Sequence, residues 1–474
     1  MKEVAALFKA VDREVCLVGG AVRDMLRGKK SHDWDLATNA LPEEVSDIFK
    51  KVQPKASVIP TGIKHGTVTV LYRGQSIEIT TYRTESGYAD GRRPDQVNYT
   101  ASIEEDLSRR DFTMNAIALR LPSGKKTDCM RRVRSTLRQI PYQNNQPRPF
   151  TAGLVDPFGG AADIKAGIIR CVGNPAERFA EDGLRPLRAV RFAAQFSYVL
   201  EPGTLAAIHE ALPVCAKVSA ERVRDEIEKI IASDKPSRGF LLMEQTGLLE
   251  LFLPELAACR GIDQKGFHQF DVLEHSLFAC DYAAEKKYPQ DVRIAALLHD
   301  IGKTPTRKID NSGIWTFYQH EAESEKMARN ILNWLRCPNV LIASVCHLVK
   351  EHMFHYTDEW SDAAVRRFIV RVGEANFAKI CQLRRADAYA TAAKEPPPDF
   401  LLPLTYRVEK IIAESRVFSL KDLAICGNDL VALGIKPGKT IGIILNELLE
   451  TVLDDPAQNN RENLLKIAEK LQTR

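Results

Sequence analysis

The sequence predicts an α+β protein, a small mixed-sheet head followed by a mostly α-helical remainder. Two observations carry this. From Glu14 to about Leu121, strand-like and helix-like segments alternate, and from about Pro157 onward strand signals nearly vanish while helical periodicity dominates. A third bears on domain division: "KEPPPDF" at 394–400 places three prolines where no helix can continue, which marks a linker.

Taken in order, "EVCLVGG" reads as a strand, "AVRDMLRG" as a helix, "HDWDLAT" as a strand and "LPEEVSDIFKKV" as a helix. "HGTVTVLY" and "QSIEITTYR" read as a hairpin turning at Arg73 and Gly74. Further on, "EDGLRPLRAVRFAAQF", "SAERVRDEIEKIIAS", "RIAALLHDIGK" and "ESEKMARNILNWL" carry the 3.6-residue apolar period of helices. These segments divide the chain into a head (1–155), a helical neck and body (156–260), a histidine-rich domain (261–393) and a helical tail (400–474).

At 474 residues, 45% of them hydrophobic, the chain can bury several separate cores. Lys and Arg number 66 against 62 Asp and Glu, so a nucleic-acid surface has to come from local clustering, not from the net charge of +4. No apolar run is long enough to span a bilayer and the N-terminal residues lack a signal-peptide pattern, so the expected location is the cytoplasm. Ten scattered cysteines without a C-x-x-C pair read as small core residues. Residues 121–149 hold seven Lys or Arg against one Asp, as either a solvated insertion or a phosphate-contacting arm.

In "GGAVRDMLRGKKSHDWDLAT" (19–38), Asp33 and Asp35 are two apart on a predicted strand, so their carboxylates share one face. Paired hard oxygens suit Mg²⁺, which completes its shell with water and substrate phosphates. Gly19 and Gly20 sit between strand and helix, where backbone amides and a helix N-terminus bind anions, and Arg23 adds charge.

This stretch resembles the signature of the class II branch of the DNA polymerase beta nucleotidyltransferase superfamily, home of the CCA-adding tRNA nucleotidyltransferases and bacterial poly(A) polymerases. Further matches follow in the family's order: "TGIKHGTVTV" (61–70), "IEITTYRTESGYADGRRPDQVNY" (77–99), "EEDLSRRDFTMNAIAL" (104–119), "DPFGGAADI" (156–164), "ERFAEDGLRPLRAVRFAAQF" (177–196), "SAERVRDEIEKII" (219–231) and "GNDLVALGIKPGKTIGIIL" (427–445). The resemblance implies a polymerase-beta-like head that uses Mg²⁺ on Asp33 and Asp35, CTP and ATP as substrates, and the tRNA 3' end as acceptor. It implies nucleotide contacts from Gly20, Arg23, Arg110, Asp111, Asp182, Arg185, Arg188 and Arg191. Glu78 and Arg83, with "ESGYADGRRP", resemble the mobile segment that positions the last adenosine.

In "EDGLRPLR", Asp182 and Arg185 are spaced i, i+3, one face of a helix. Cytosine and adenine each present an amino donor beside a ring-nitrogen acceptor, whereas uracil and guanine present the opposite order. A carboxylate beside a guanidinium therefore accepts C and A. The family usually has proline after the aspartate, where this chain has Gly183. The rival reading within the superfamily is a poly(A) polymerase, marked by a "GRRFR"-like stretch where this chain has "TGIKHGTVTV"; an A-adding-only enzyme is another.

Seven of the ten histidines lie between 268 and 355. His275, the adjacent His299 and Asp300 of "ALLHDIGK", and Asp387 of "RRADAYA" resemble the HD phosphohydrolase superfamily. The resemblance implies a divalent ion, Mg²⁺, Mn²⁺ or Ni²⁺, on those four residues, with His320, His347 and His352 serving a second ion or substrate phosphates. A third reading makes this centre the main activity and the head a tRNA-binding module. Oligomeric state is not legible.

Overall fold

The computed structural model describes residues 1–30, 34–52, 57–62, 66–87, 96–121, 153–264, 269–414 and 419–472. Asp33, most of the basic segment 121–149 and residues 88–95 lie outside the described residues. The chain forms two compact units, Met1–Ser233 with Arg238–Phe252, and Asp234–Ser237 with Leu253–Arg474.

The first unit is built on a seven-stranded sheet. Its strands are β1 (Val15–Val18), β2 (Trp34–Thr38), β3 (Ser57–Gly62), β4 (Thr67–Tyr72), β5 (Gln75–Thr81), then β8 (Ala118–Arg120) and β9 (Leu154–Val155). The order is β3-β4-β5-β2-β1-β8-β9. Only β2 and β5 run parallel; β1 pairs antiparallel with both β2 and β8. The β4–β5 hairpin turns at Arg73 (φ 49°) and Gly74 (φ 75°), two left-handed residues whose twist matches that of the flanking strands. A separate hairpin, β6 (Arg83–Ser86) and β7 (Gln96–Tyr99), follows the sheet's fifth strand.

Helix α1 (Lys2–Lys9), α2 (Gly20–Leu26), α3 (Pro42–Val52) and α4 (Ile103–Ser108) accompany the sheet. A buried cluster of Cys16, Val18, Ala37, Tyr82, Ile103, Leu107, Ala116, Ala118, Val155 and Val172 ties strands from both ends of the head to α4. Each of the larger side chains there contributes about 1.5–3 kcal/mol by leaving water. Beyond the sheet the unit is helical, with Arg185–Phe196 packed on Ala220–Ile231.

The second unit is almost wholly helical. Helices Val272–Glu285, Gln290–Leu298, His320–Trp334, Asn339–Glu351 and Phe377–Ala392 form one packed group. Phe377–Ala392 ends where Ala393 turns left-handed (φ 51°), just before the three prolines. A further core of Leu430, Leu448, Val452, Leu453, Leu464 and Ala468 joins Lys439–Asp454 to Arg461–Gln472. Most of the cysteines are buried, free thiols, although Cys426 is exposed. Among the described residues, no helix is long and apolar enough to cross a membrane.

Candidate functional site

In the first unit, β1 runs into Gly19 (φ +64°) and then α2, a turn that L side chains rarely adopt. A Cβ on Gly19 would stand 3.0 Å from Nη1 of Arg110 and 3.8 Å from Oδ2 of Asp35, so the bare turn lies against both residues. Parallel pairing sets Asp35 of β2 directly beside Glu78 of β5, and Glu78 is also opposite Thr69 of β4. Register pairs share a face of a sheet, so Asp35 and Glu78 form a two-carboxylate row. The expectation grouped Glu78 with Arg83 and residues 85–94; the structure instead seats it on the central sheet next to Asp35. This donor pair fits a hard divalent cation.

A chain of hydrogen bonds borders the row. Arg23 donates to Asn115 Oδ1 (2.8 Å), Asn115 Nδ2 donates to Asp111 Oδ1 (3.0 Å), and Arg188 donates to Asp111 Oδ2 through Nε (2.9 Å) and Nη2 (2.7 Å). Burial opposes charge on Asp111, but Arg188 and Asn115 hold its carboxyl down at about 2. Arg23 also lies over Phe192 (5.3 Å) and Phe196 (4.8 Å), a cation–π placement that keeps its guanidinium at the mouth of the turn. Arg110 donates to Asp106, whose fully buried carboxylate also takes Arg109. Arg83 binds Glu85, which Arg109 shares, so Arg83 belongs to a buried ion network at the base of the second hairpin.

Asp182 and Arg185 do not share a helix face. Helix Pro175–Glu181 stops before Asp182, which is extended, and the next helix starts at Arg185. The reason lies in Gly183: a Cβ there would fall inside van der Waals contact of the Val214 carbonyl, so the chain passes too close to that backbone for a side chain. The two site candidates consequently take different partners. Asp182 Oδ1 accepts from the Leu184 amide (3.0 Å), and Arg222 donates to Asp182 Oδ2 (2.7 Å). Arg185 donates to Glu181 (2.5 Å) and to the carbonyls of Arg178 (3.0 Å) and Arg109 (3.2 Å). Arg191, expected on a basic ridge, is buried against Glu226 (2.7 Å) and ties two helices together.

The second unit gathers five helices around a buried cluster. His275 (helix Val272–Glu285), His299 and Asp300 (following Gln290–Leu298) and Asp387 (Phe377–Ala392) meet as expected. His275 Nε2 is 3.1 Å from His299 Nε2, 3.3 Å from Asp300 Oδ2 and 3.2 Å from Asp387 Oδ1. His320 and His352 join from the other side, with Nε2 atoms 3.3 and 3.7 Å from Asp300 Oδ1. His347 is elsewhere engaged, donating to the Val372 carbonyl (2.6 Å).

The histidine Nδ1 atoms of His299, His320 and His352 each donate to a backbone carbonyl three residues upstream, at 2.9, 2.9 and 2.6 Å. That turns Nε2 of each ring inward, and in His352, where burial and His299 disfavour a charge, it leaves a lone pair there. Asp300 Oδ1, His320 Nε2 and His352 Nε2 are buried and make no well-directed hydrogen bond among the described residues. Acceptors converging on acceptors are costly unless a cation lies between them, so the donor set fits a divalent ion. Two donor groups, His275–His299–Asp387 and His299–Asp300–His352, each bring their ligand atoms within 4.8 Å of one another. Burial works against charge on His299, yet Asp300 and Asp387 lift it to about 10, while burial and the neighbouring His299 push His352 down to about 3. Lys303 donates to Asp300 Oδ2 (2.6 Å) and to Gln264 Oε1 (2.6 Å).

Residues 15–170 match the poly A polymerase head domain family, residues 198–260 an RNA- and SrmB-binding region of polymerase A, and residues 309–468 tRNA nucleotidyltransferase domain 2. The chain is 32% identical over 462 residues to the CCA-adding enzyme of Pediococcus pentosaceus, covering 96% of this chain and 93% of that one. It is 33% identical over 463 residues to that of Ligilactobacillus salivarius, covering 97% and 93%. The chain belongs to the class II CCA-adding enzyme family of tRNA nucleotidyltransferases. Among solved structures, the Bacillus stearothermophilus CCA-adding enzyme in complex with CTP superposes with a TM-score of 0.69 at 26% identity, over 100% of this chain and 97% of that one. The Thermotoga maritima CCA-adding enzyme complexed with tRNA shares the fold at a TM-score of 0.56 and 21% identity, over 99% and 94%.

Within this CCA-adding family member, sequence reasoning did not single out Asn115, Arg222 or Glu181. Asn115 is a 3-10 turn residue whose importance lies in bridging Arg23, 92 positions away, to Asp111. Arg222 stands in "SAERVRDEIEKII", quoted as a family match, and its charge on a helix face was the available signal.

Proposed function

We propose that this chain adds C, C and A to the 3' end of tRNA from CTP and ATP, releasing pyrophosphate. The observation that carries the reading is the Asp35–Glu78 row beside the Gly19 turn, with Arg110 over it and Arg23 at its mouth. Asp33 completes the acidic set by resemblance. A divalent ion held there supplies positive charge where the attacking hydroxyl and the α-phosphate meet. The chain's own groups do the rest: the bare turn and the first amides of α2 admit the triphosphate, and Arg23, Arg110 and Arg188 offset its charge.

Asp182, held by Arg222, accepts from the exocyclic amino group of C or A, and Arg185 donates to the adjacent ring nitrogen on leaving Glu181 and the Arg178 and Arg109 carbonyls that hold it here, so U and G meet like against like. The relatives named CCA-adding enzymes, and the one solved with CTP, support CCA addition from CTP as the activity. In domain terms, residues 1–155 carry transfer, 156–260 select the nucleotide, and 400–474 bind tRNA. Incorporation with single nucleotides on tRNA lacking its terminal CCA tests the reading; use of UTP equal to CTP overturns it.

A second activity rests on a different observation, the unpartnered Asp300, His320 and His352 atoms in the buried histidine cluster. Residues 261–393 act as an HD-type metal-dependent phosphohydrolase. His275, His299, Asp300 and Asp387 hold a first divalent ion, and Asp300 with His320 and His352 offers a second position. Such ions polarise a phosphoryl oxygen and supply a nucleophilic water. Lys303 keeps Asp300 ionised and oriented. Phosphate release by the full chain, lost in His299→Ala, tests it; unchanged release refutes it.

A further inference from the structure

We propose that residues 307–319, which link Lys303 to His320, form a base-stacking platform that presents a nucleotide's phosphate to the histidine–aspartate centre. The proposal rests on the phosphohydrolase reading and adds where the organic part of its substrate sits. The segment is a short hairpin, Lys308–Ile309 paired with Trp315–Thr316. Its C-terminal end is fastened to the centre at Phe317, from two directions. On one side, Lys303 holds Asp300 and lies 5.8 Å from the centre of the Phe317 ring. On the other, His320 donates through its amide (3.1 Å) and through Nδ1 (2.9 Å) to the Phe317 carbonyl. Gln319 between them is left-handed (φ +64°), a conformation that costs about 1–3 kcal/mol in a non-glycine residue and that persists where the surroundings demand it.

What the hairpin offers outward is apolar, aromatic and cationic. Tyr318 is 82% exposed, one residue beyond the carbonyl that orients His320, and Ile309 is 58% exposed. The Arg307 guanidinium lies 3.8 Å above the Trp315 ring. Arg307 has no carboxylate partner among the described residues, and its buried Nε donor is without a hydrogen-bond acceptor. The exposed Tyr318 ring offers a face to a flat base, and the Arg307 guanidinium, held over Trp315 with no carboxylate beside it among the described residues, offers positive charge to an anionic phosphate. Recognition by stacking is tolerant of base identity, so the substrate class is a nucleoside or RNA-terminal phosphate of any base, in preference to a base-free phosphate ester.

The test uses the full chain loaded with Mn²⁺ or Ni²⁺. Hydrolysis of adenosine 3'-monophosphate is compared with that of β-glycerophosphate; in each, water enters and inorganic phosphate and the alcohol leave. In Tyr318→Ala and Arg307→Ala the ratio of kcat/KM for the nucleotide over the base-free ester falls about 5- to 100-fold, the range expected for one lost stack. Tyr318→Phe restores the ratio. An unchanged ratio, or equal loss on both substrates, overturns the platform. Photocrosslinking of 8-azidoadenosine 3'-monophosphate, mapped by mass spectrometry, gives an independent reading. Crosslinks at 315–318 support the platform even if neither ester is hydrolysed, in which case the hydrolase reading alone falls. Crosslinks confined to the head overturn the platform.

Discussion

Removing Arg188 exposes how helix Arg185–Phe196 is fixed to the head. Asp111 is 9% exposed, and Arg188 holds it at about 2, against an ordinary value of 3.8. At ~1.36 kcal/mol per pH unit, that depression corresponds to about 2.4 kcal/mol of stability. The sign follows from a lowered carboxylate: the stabilisation is complete above about pH 4 and is lost as pH falls through about 2. In Arg188→Leu the same carboxylate stays buried without its cation, at a cost of about 3–5 kcal/mol at pH 7. Acidification relieves that cost because a protonated Asp111 needs no partner. Trp34 is the one tryptophan of the first unit, so urea unfolding is followed by its fluorescence with Trp315, Trp334 and Trp360 replaced by Phe. The stability difference between parent and Arg188→Leu is expected to be largest at pH 7 and to shrink by at least about 2 kcal/mol toward pH 3. A difference that is constant with pH, or below about 1 kcal/mol at pH 7, refutes the reasoning.

Glu78→Gln lowers nucleotidyl transfer at least about 100-fold while tRNA binding, measured by filter retention, stays within twofold; full activity removes Glu78 from the acidic row. Gly183→Ala forces the backbone away from Val214, with an overpacking cost of about 1–3 kcal/mol in urea unfolding, and weakens discrimination between CTP and UTP. Arg222→Met frees the Asp182 carboxylate to rotate, so UTP use rises relative to CTP while ATP binding persists; unchanged selectivity shows that Arg222 does not position Asp182. His299→Ala, with metal counted by emission spectrometry after dialysis, reduces bound Ni²⁺ or Mn²⁺ per chain; equal metal content rules out the histidine cluster as the holder.

Features written in local pattern were legible. The β1–α2–β2 order, the hairpin at Arg73 and Gly74, and the break before the prolines at 396–398 each depend on residues a few positions apart. The grouping of His275, His299, Asp300 and Asp387 was legible only through their resemblance to the HD phosphohydrolase superfamily, since no local pattern joins residues so far apart. What escaped depends on contacts remote in sequence. Glu78 comes to Asp35 by parallel pairing across 43 positions, and parallel partners need a long connection that no short window shows. Asp182 leaves the helix because Gly183 passes the Val214 backbone, a tertiary contact that overrides the i, i+3 spacing. β8 and β9, three and two residues long, are strands only through their pairing with the sheet.

The central claim is that the protein itself, with no nucleic-acid template, selects C and then A. Sequencing the products formed on tRNA lacking its CCA end, with all four nucleoside triphosphates present, tests this most directly. The expected products carry C, C and A in that order and then arrest. Products carrying U or G at these positions, or a long homopolymeric A tail, contradict it.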